Sequence, residues 1–401
     1  MSAKVMQSSA ESRFVLFAYG FRPFFLLAGI YAIVPTGVLY SAMASGQWPE
    51  NALSLFAWHG HEMLFGFVTA AIAGFLLTAV PTWTGTRAVS GVPLVGLVLL
   101  WLAGRAVMSP WMQSSNVLAQ VVSVAFLPAL AVTIAVPLVR TRNFRNLPFL
   151  LLLAALFLGE ASFHMRYFNW IDGQTIDGLR LTINTVALMI VVVGGRISPA
   201  FTLNALRAMG REVTIRSRPT IDRAAILSVV GVLLGDVFAA NSPLTGWLAV
   251  FAAGLLLLRL SGWSGLRTLG VPLLWILHLG ALWLAFAFAL KGLWLLGSFG
   301  WAANWMHAFT AGAFGTMILG VMTRVALGHT GRPLEVSRAV VASYVLVSAA
   351  ALTRVFGPWF APNDYTWVLA VSTAAWTAAF LIFLAGYTPI LFRPRPDGRA
   401  G

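Results

Sequence analysis

Four of the six histidines stand where they could bind a metal ion or a haem. His59 and His61 lie in "WHGHEMLFG", His164 in "GEASFHMRY" and His307 in "WMHAFTAG", each near one end of a long apolar run. Imidazole is a natural ligand of haem iron and copper, and an ionisable group at membrane depth is a functional candidate by default. The alternative is that each ring only hydrogen-bonds to water or to loop carbonyls at the membrane interface.

The spacing of these residues favours two centres. A helix turns about 100° per residue, so His59 and His61 point about 200° apart. Gly60 between them could loosen this turn, and one shared ion therefore stays open as an alternative. Glu160 and His164 are four residues apart and share a helix face, where the carboxylate could orient the imidazole, pass protons or form a local hydrogen bond. Glu62, next to His61, is a candidate for the same supporting role.

The elements that must position these residues are membrane helices. The chain has 401 residues, of which 59% are hydrophobic and 9% charged, and its mean hydropathy is +0.84. A bilayer-spanning helix needs about 20 apolar residues. The sequence predicts an all-α polytopic membrane protein with one integral domain over residues 1–401 and about twelve spans: 21–44, 57–80, 91–108, 115–139, 147–168, 176–195, 221–240, 244–260, 271–290, 303–324, 336–356 and 366–391.

The positive residues predict the orientation. If both termini are cytoplasmic, 21 of the 26 lysines and arginines fall on the cytoplasmic side, as the positive-inside rule expects. The other five are Arg105, Arg166, Arg180, Lys291 and Arg354. His59, His61, His164 and His307 then share the opposite membrane level, while His278 lies deeper and His329 falls in a cytoplasmic loop. The net charge of +14 therefore does not call for nucleic acid as a partner.

Several kinds of chemistry are excluded by composition. The chain has no cysteine, which rules out disulfides, thiolate metal sites, iron–sulfur clusters and the attachment motif of c-type haem. Walker loops and dinucleotide-binding glycine motifs are also absent. The first 20 residues lack the apolar core and cleavage site of a removable signal peptide. Any metal or haem must be held by histidine, methionine, carboxylate or tyrosine.

The segment after His307 echoes the segment after His61. Glycine occurs five, thirteen and twenty-four residues after each histidine. Two parallel helices of this kind could clasp a flat tetrapyrrole, with the glycines making room for the ring, or the glycines could only allow close helix packing. The paired positions are Gly66, Gly74 and Gly85 in one segment and Gly312, Gly320 and Gly331 in the other.

Asp236, in "GVLLGDVFAA", is a further buried charge predicted inside the seventh span. It has no cation at helical spacing. Proton handling or a place beside a haem propionate is one interpretation, and a neutral, hydrogen-bonded acid is the other.

Four motifs in the same order identify a resemblance over essentially the whole chain. "GFRPFFLLAG", "WHGHEMLFGFVTAAIAGFLLTAVPTWTG", "GGRISPAFTLNAL" and "MHAFTAGAFGTMILGVMTRVALGHTGRPL" resemble the NnrS family of bacterial membrane proteins. The resemblance implies a haem- and copper-containing inner-membrane protein connected with nitric oxide and nitrosative stress in denitrifying and related bacteria.

A more distant similarity is to the catalytic subunit of haem-copper oxidases and nitric oxide reductases, which has twelve helices in blocks of four. By that analogy His61 and His307 are the axial ligands of haem b. The histidines that hold the second metal in those enzymes, on the sixth and seventh helices, are absent here. For copper we predict His59 with His164, assisted by Met63 or Met165, because imidazole and thioether suit that metal.

These inferences lead to two functional hypotheses. The first is a haem b and copper protein of the inner membrane that binds or converts nitric oxide, in an enzymatic version as a reductase supplied by quinol or a soluble cytochrome. The second is a transporter or sensor whose histidines handle protons or metal ions without redox turnover.

Overall fold

The fold consists of helices. The computed structural model describes residues 15–50, 52–112, 117–168, 176–211, 215 and 218–398, and no β-strand occurs in these ranges. A helix occupies each of the twelve predicted runs. They are α1 Phe21–Ser45, α2 Leu55–Thr84, α3 Val92–Val107, α4 Val117–Arg140, α5 Pro148–Tyr167, α6 Gly178–Ala208, α7 Pro219–Phe238, α8 Pro243–Ser261, α9 Pro272–Gly297, α10 Gly300–His329, α11 Arg338–Phe360 and α12 Pro362–Phe392.

Ten of these helices, within the described ranges, are long and apolar enough to cross a membrane. The prediction of an all-α polytopic membrane protein is thereby confirmed. The other two are α3, which is apolar but has only 16 residues, and α7, which carries the charged residues Asp222, Arg223 and Asp236. Twelve crossings with both termini in the cytoplasm therefore stay a prediction.

Two boundaries differ from the sequence prediction. The prediction that a loop begins after residue 195 is wrong, because α6 continues through Pro199 to Ala208. The guanidinium of Arg259 packs against α6 here, and its Nη1 donates to the carbonyl of Val191 at 2.7 Å. His329 is the last residue of α10 rather than a loop residue, and its ring lies 5.9 Å from that of Phe21.

The internal echo has a structural counterpart in α2 and α10. In α2 the α-helix ends at His61 and a π-helical segment, Glu62–Val68, follows. In α10 the α-helical turn ends at His307 and a π-helical segment, Ala308–Gly315, follows. Such widened turns are rare and frequently occur at functional sites. Two corresponding helices thus carry the same irregularity directly after a histidine.

The first two glycines of each echoed segment serve close packing, whereas the third, Gly85 or Gly331, adopts a left-handed conformation just after its helix. A side chain at Gly66 would collide with the ring of Tyr31 on α1, and one at Gly312 would collide with Trp283 on α9. One or two turns further on, Gly74 faces Phe25 and Gly320 faces Ile276 in the same way. The structure therefore favours the packing interpretation of these glycines over the one in which they make room for a tetrapyrrole.

The two echoed helices lie at the centre of the molecule. Each packs against the helix that precedes it, α1 or α9, and against α6, and they also contact one another. Helix α12 packs on α1 and α11, which brings the first and the last described helix together. One continuous apolar core runs from Phe21 to Leu391.

Candidate functional site: a metal cluster and a histidine-lined cavity

The first site is a cluster of His61, Glu160 and His164, here called the metal-ligand cluster. One ligand atom from each residue lies within 4.8 Å of the others. His61 ends the α-helical part of α2, while Glu160 and His164 stand one turn apart on α5. All three side chains are buried. Glu160 and His164 thus lie on one face of α5, as predicted, and His61 of α2 lies beside them as a third possible ligand.

Hydrogen bonds fix the direction of both imidazoles. Nδ1 of His61 donates to Glu62 Oε1 at 2.7 Å, and Nδ1 of His164 donates to the side-chain oxygen of Gln120 on α4. The Nε2 atom of each ring is then the one with a lone pair for a metal ion. The His61 and His164 rings stand nearly perpendicular, with their centroids 5.2 Å apart.

Arg105, on α3, links the two carboxylates of this site. Its Nη1 donates to Glu62 Oε1 at 2.8 Å, and its Nη2 lies 3.6 Å from Glu160 Oε1. The hydroxyl of Tyr31 donates to the other oxygen of Glu62. Two carboxylates thus face one guanidinium, and a bound cation would stabilise both of them in the ionised form.

Two ligand atoms of the cluster are buried without a hydrogen-bond partner among the described residues: Nε2 of His61 and Oε1 of Glu160. They lie 3.8 Å apart. A buried polar atom without a partner costs free energy, and a metal ion between these two atoms would satisfy both. The donor set of two imidazoles and one carboxylate suits copper, iron or zinc.

The second site is a cavity of about 320 Å³ between α1, α2, α6, α10, α11 and α12, here called the histidine cavity. His59 and His307 both line it, together with Arg354 of α11. Most of the remaining wall is apolar. Ligand pockets typically measure about 300 to 1,000 Å³ and combine apolar walls with a few polar groups, so this cavity has the character of a binding site for a small molecule.

The polar groups of the histidine cavity suit a molecule that contains a metal ion and carries a negative charge. The imidazoles can coordinate the metal ion, and the arginine can bind the negative charge. Nδ1 of His59 donates to the carbonyl of Pro35 at 3.2 Å, which leaves Nε2 as the ligand atom. Arg354 lines the same cavity as both imidazoles. Two imidazoles could hold the iron of a haem, and one cation could bind a haem carboxylate.

The four histidines are grouped differently from the predicted pairs. We predicted His61 with His307 and His59 with His164, whereas His61 lies beside His164 and His59 shares a cavity with His307. His59 and His61 face different neighbours, and their service in separate centres stays a prediction. The partners differ because the sequence shows the depth of a histidine, while the neighbouring helix that each ring faces depends on tertiary packing. Met63 lines the histidine cavity with His59.

Asp236 belongs to neither site. Its carboxylate accepts hydrogen bonds from Lys291 of α9 and from Asn184 of α6, the latter at 2.6 Å. Lys291 in turn lies over the ring of Trp305, 4.7 Å from its centroid. The cation that the sequence did not show at helical spacing thus comes from another helix, and the pair holds α6, α7 and α9 together.

His278 is a packed core residue in this structure. Its Nε2 lies 2.9 Å from the hydroxyl of Thr202, and its ring lies 6.1 Å from that of Trp263.

Sequence reasoning missed Tyr31, Arg105, Gln120 and Arg354 as members of the two sites. Arg105 and Arg354 did carry a signal, because they are two of only five cations predicted away from the cytoplasm. Tyr31 and Gln120 carried none, since a tyrosine or a glutamine in an apolar run does not indicate its partner.

A comparison with protein families supports one assignment. A family profile described as NnrS protein matches residues 15–395, nearly the whole chain. No curated protein matches the chain.

Proposed function

The chain belongs to the NnrS family, and we propose that it is a haem b and copper protein of the bacterial inner membrane that binds or converts nitric oxide and supports resistance to nitrosative stress. Membership in this family suggests a role related to nitric oxide. The observation that carries the finer proposal is the division of four histidines between a metal-ligand cluster and a cavity with its own cation.

The histidine cavity is the proposed haem site. His59 and His307 supply imidazole ligands, the apolar wall suits a porphyrin, and Arg354 suits a propionate. This assignment replaces the pair His61 and His307, since His61 is turned away toward α5 and packs against Phe163, with ring centroids 4.7 Å apart.

The metal-ligand cluster is the proposed copper site. His61 and His164 supply Nε2 atoms and Glu160 supplies a carboxylate oxygen, and imidazole is a preferred copper ligand. Glu62 fixes the tautomer of His61, which raises the basicity of its ligand atom. A haem iron and a copper ion, when bound, supply the coordination and electron-transfer chemistry that nitric oxide requires.

The two sites are neighbours. His59 and His61 are two residues apart, so their backbone atoms differ by about 3 Å along the axis of α2, while their rings serve opposite sides of the helix. A smaller cavity of about 80 Å³, with an apolar wall, lies among α1, α2, α6 and α10. Nitric oxide is small and uncharged, and an apolar space of this kind can hold it.

Absorbance and metal analysis of the purified protein test this proposal. We expect a Soret band of b-type haem and bound copper, and a change of the Soret band when the reduced protein is mixed with nitric oxide. A protein without a Soret band and without copper would instead favour a transporter or sensor with proton- or metal-handling histidines.

Turnover is a separate question from binding. The enzymatic version of the proposal, a nitric oxide reductase, needs electrons from quinol or a soluble cytochrome. Consumption of nitric oxide by the detergent-solubilised protein, measured with an electrode with and without a reduced quinol analogue, tests this version. Binding without consumption would leave nitric oxide as a ligand only.

A further inference from the structure

The internal repeat extends one helix beyond the histidines. Arg105 lies in "LAGRAV" near the end of α3, 44 residues after His61, and Arg354 lies in "ALTRVF" in α11, 47 residues after His307. We call α1–α3 the first half of the repeat and α9–α11 the second half. In each half the last helix carries an arginine near the membrane level of the histidine on the helix before it. Arg105 reaches the metal-ligand cluster, and Arg354 lines the histidine cavity.

The two arginines differ in what neutralises them. Arg105 lies between two carboxylates, Glu62 and Glu160. The position of Glu62, directly after the histidine, is taken by Ala308 in the second half. Within the described residues, Nη1 of Arg354 is buried and has no hydrogen-bond partner.

The Arg354 guanidinium lies over the ring of Tyr365, whose centroid is 5.3 Å away. A ring face weakly stabilises a cation, but it does not accept the in-plane hydrogen bonds of a guanidinium. The free-energy cost of a buried donor without an acceptor is larger for a charged group than for a neutral one. Among the described residues, Arg354 thus has no carboxylate partner, unlike its counterpart Arg105. Arg354 also lines a cavity large enough for a ligand.

We propose that Arg354 binds a carboxylate of the molecule held by His59 and His307, and that this carboxylate replaces the glutamate that balances Arg105 in the first half. The inference rests on the proposed function, in which that molecule is haem and the carboxylate is a propionate. It further assigns the propionate edge of the ligand to the α11 side of the cavity. The competing account is that Arg354 only anchors α11 at the membrane interface, in which case ligand carboxylates make no difference.

Haem and its dimethyl ester distinguish these accounts. The two molecules share the iron and the ring, but the ester has no negative charge to offer. Full-length protein from haem-limited cells is titrated with each, and the Soret band reports binding. We expect the unaltered protein to bind haem about tenfold more tightly than the ester, because a charge-assisted hydrogen bond is lost with the ester.

The variant Arg354→Gln should abolish this preference, with haem binding falling to the level of the ester. Arg354→Lys keeps the charge and should retain part of the preference. Arg166→Gln is the matched control, since Arg166 also lies over a tyrosine ring, 5.9 Å from the centroid of Tyr167, but does not line the cavity. It should keep the full preference.

Equal binding of haem and ester by the unaltered protein would overturn the inference without the need for any variant, and it would leave the proposed haem site intact. A preference that survives in Arg354→Gln would also overturn it. If neither porphyrin binds, the proposed function and the inference both fail.

Discussion

At the scale of single residues, Glu62 is the side chain that organises the metal-ligand cluster without belonging to it. It accepts hydrogen bonds from Nδ1 of His61, from Arg105 and from Tyr31. Its carboxylate thus fixes the tautomer of a ligand and holds the cation that also faces Glu160. The adjacent position in the sequence made Glu62 a candidate for this supporting role, and its hydrogen bonds are those that such a role needs.

The substitution Glu62→Gln should weaken copper binding by about 10-fold to 100-fold, the usual effect of removing a partner that orients a metal ligand. The amide retains an acceptor for Nδ1 but not the negative charge. Copper affinity measured by competition with a chelator checks this, with Glu335→Gln, at an exposed position, as the control. Haem content should stay unchanged, and an unaltered copper affinity would show that Glu62 does not act through His61.

At the scale of helices, the sequence predicted where the elements lie better than what they face. Long apolar runs fix the approximate ends of a membrane helix, so the twelve predicted runs correspond to twelve helices. Helix α6 was underestimated, because its predicted span ended with the apolar run at residue 195. The widened turns after His61 and His307 could not be predicted, since no residue type marks a π-helix, although the repeated glycine spacing did indicate that α2 and α10 correspond.

The buried pair of Asp236 and Lys291 makes a prediction at this scale. The variant Asp236→Ala leaves Lys291 buried without its carboxylate, which should destabilise the protein by roughly 3–5 kcal/mol. The double variant Asp236→Asn, Lys291→Met should recover most of this loss, because no unpaired charge remains. Thermal unfolding in detergent measures both.

Cofactor content separates this account of Asp236 from a role in a cofactor site. In whatever protein remains folded, haem and copper should bind to both variants as they bind to the unaltered chain, because the pair contacts neither the metal-ligand cluster nor the histidine cavity. Selective loss of haem with unchanged stability would return Asp236 to the earlier interpretation beside a propionate.

At the scale of the whole molecule, the five cations that the sequence assigned away from the cytoplasm include the two that reach the sites. Arg105 and Arg354 lie with the histidines, and Lys291 lies beside Trp305, two residues from His307. The charge asymmetry of the sequence thus marked a small group of cations that includes both arginines of the candidate sites. It could not indicate which histidine each cation accompanies, because that depends on how the two halves pack.

The orientation remains to be measured. With both termini cytoplasmic, a green fluorescent protein fused after residue 401 should fluoresce, and alkaline phosphatase fused at the same place should be inactive. Fusions in the loop between α9 and α10, at residue 298, should give the opposite pattern. Active phosphatase at the C-terminus would contradict the predicted topology, and fluorescence of the fusion at residue 298 would place the two sites on the cytoplasmic side.

The central claim is that the four histidines form two separate centres, His59 with His307 and His61 with His164. Haem and copper contents of the four single alanine variants, measured on folded, monodisperse protein, test it most directly, with His329→Ala as the control. We predict that His59→Ala and His307→Ala lose or alter haem while they keep copper, and that His61→Ala and His164→Ala lose copper while they keep haem. Loss of haem in His61→Ala and His307→Ala together, with copper lost in His59→Ala and His164→Ala, would contradict the account and restore the pairing expected from sequence alone.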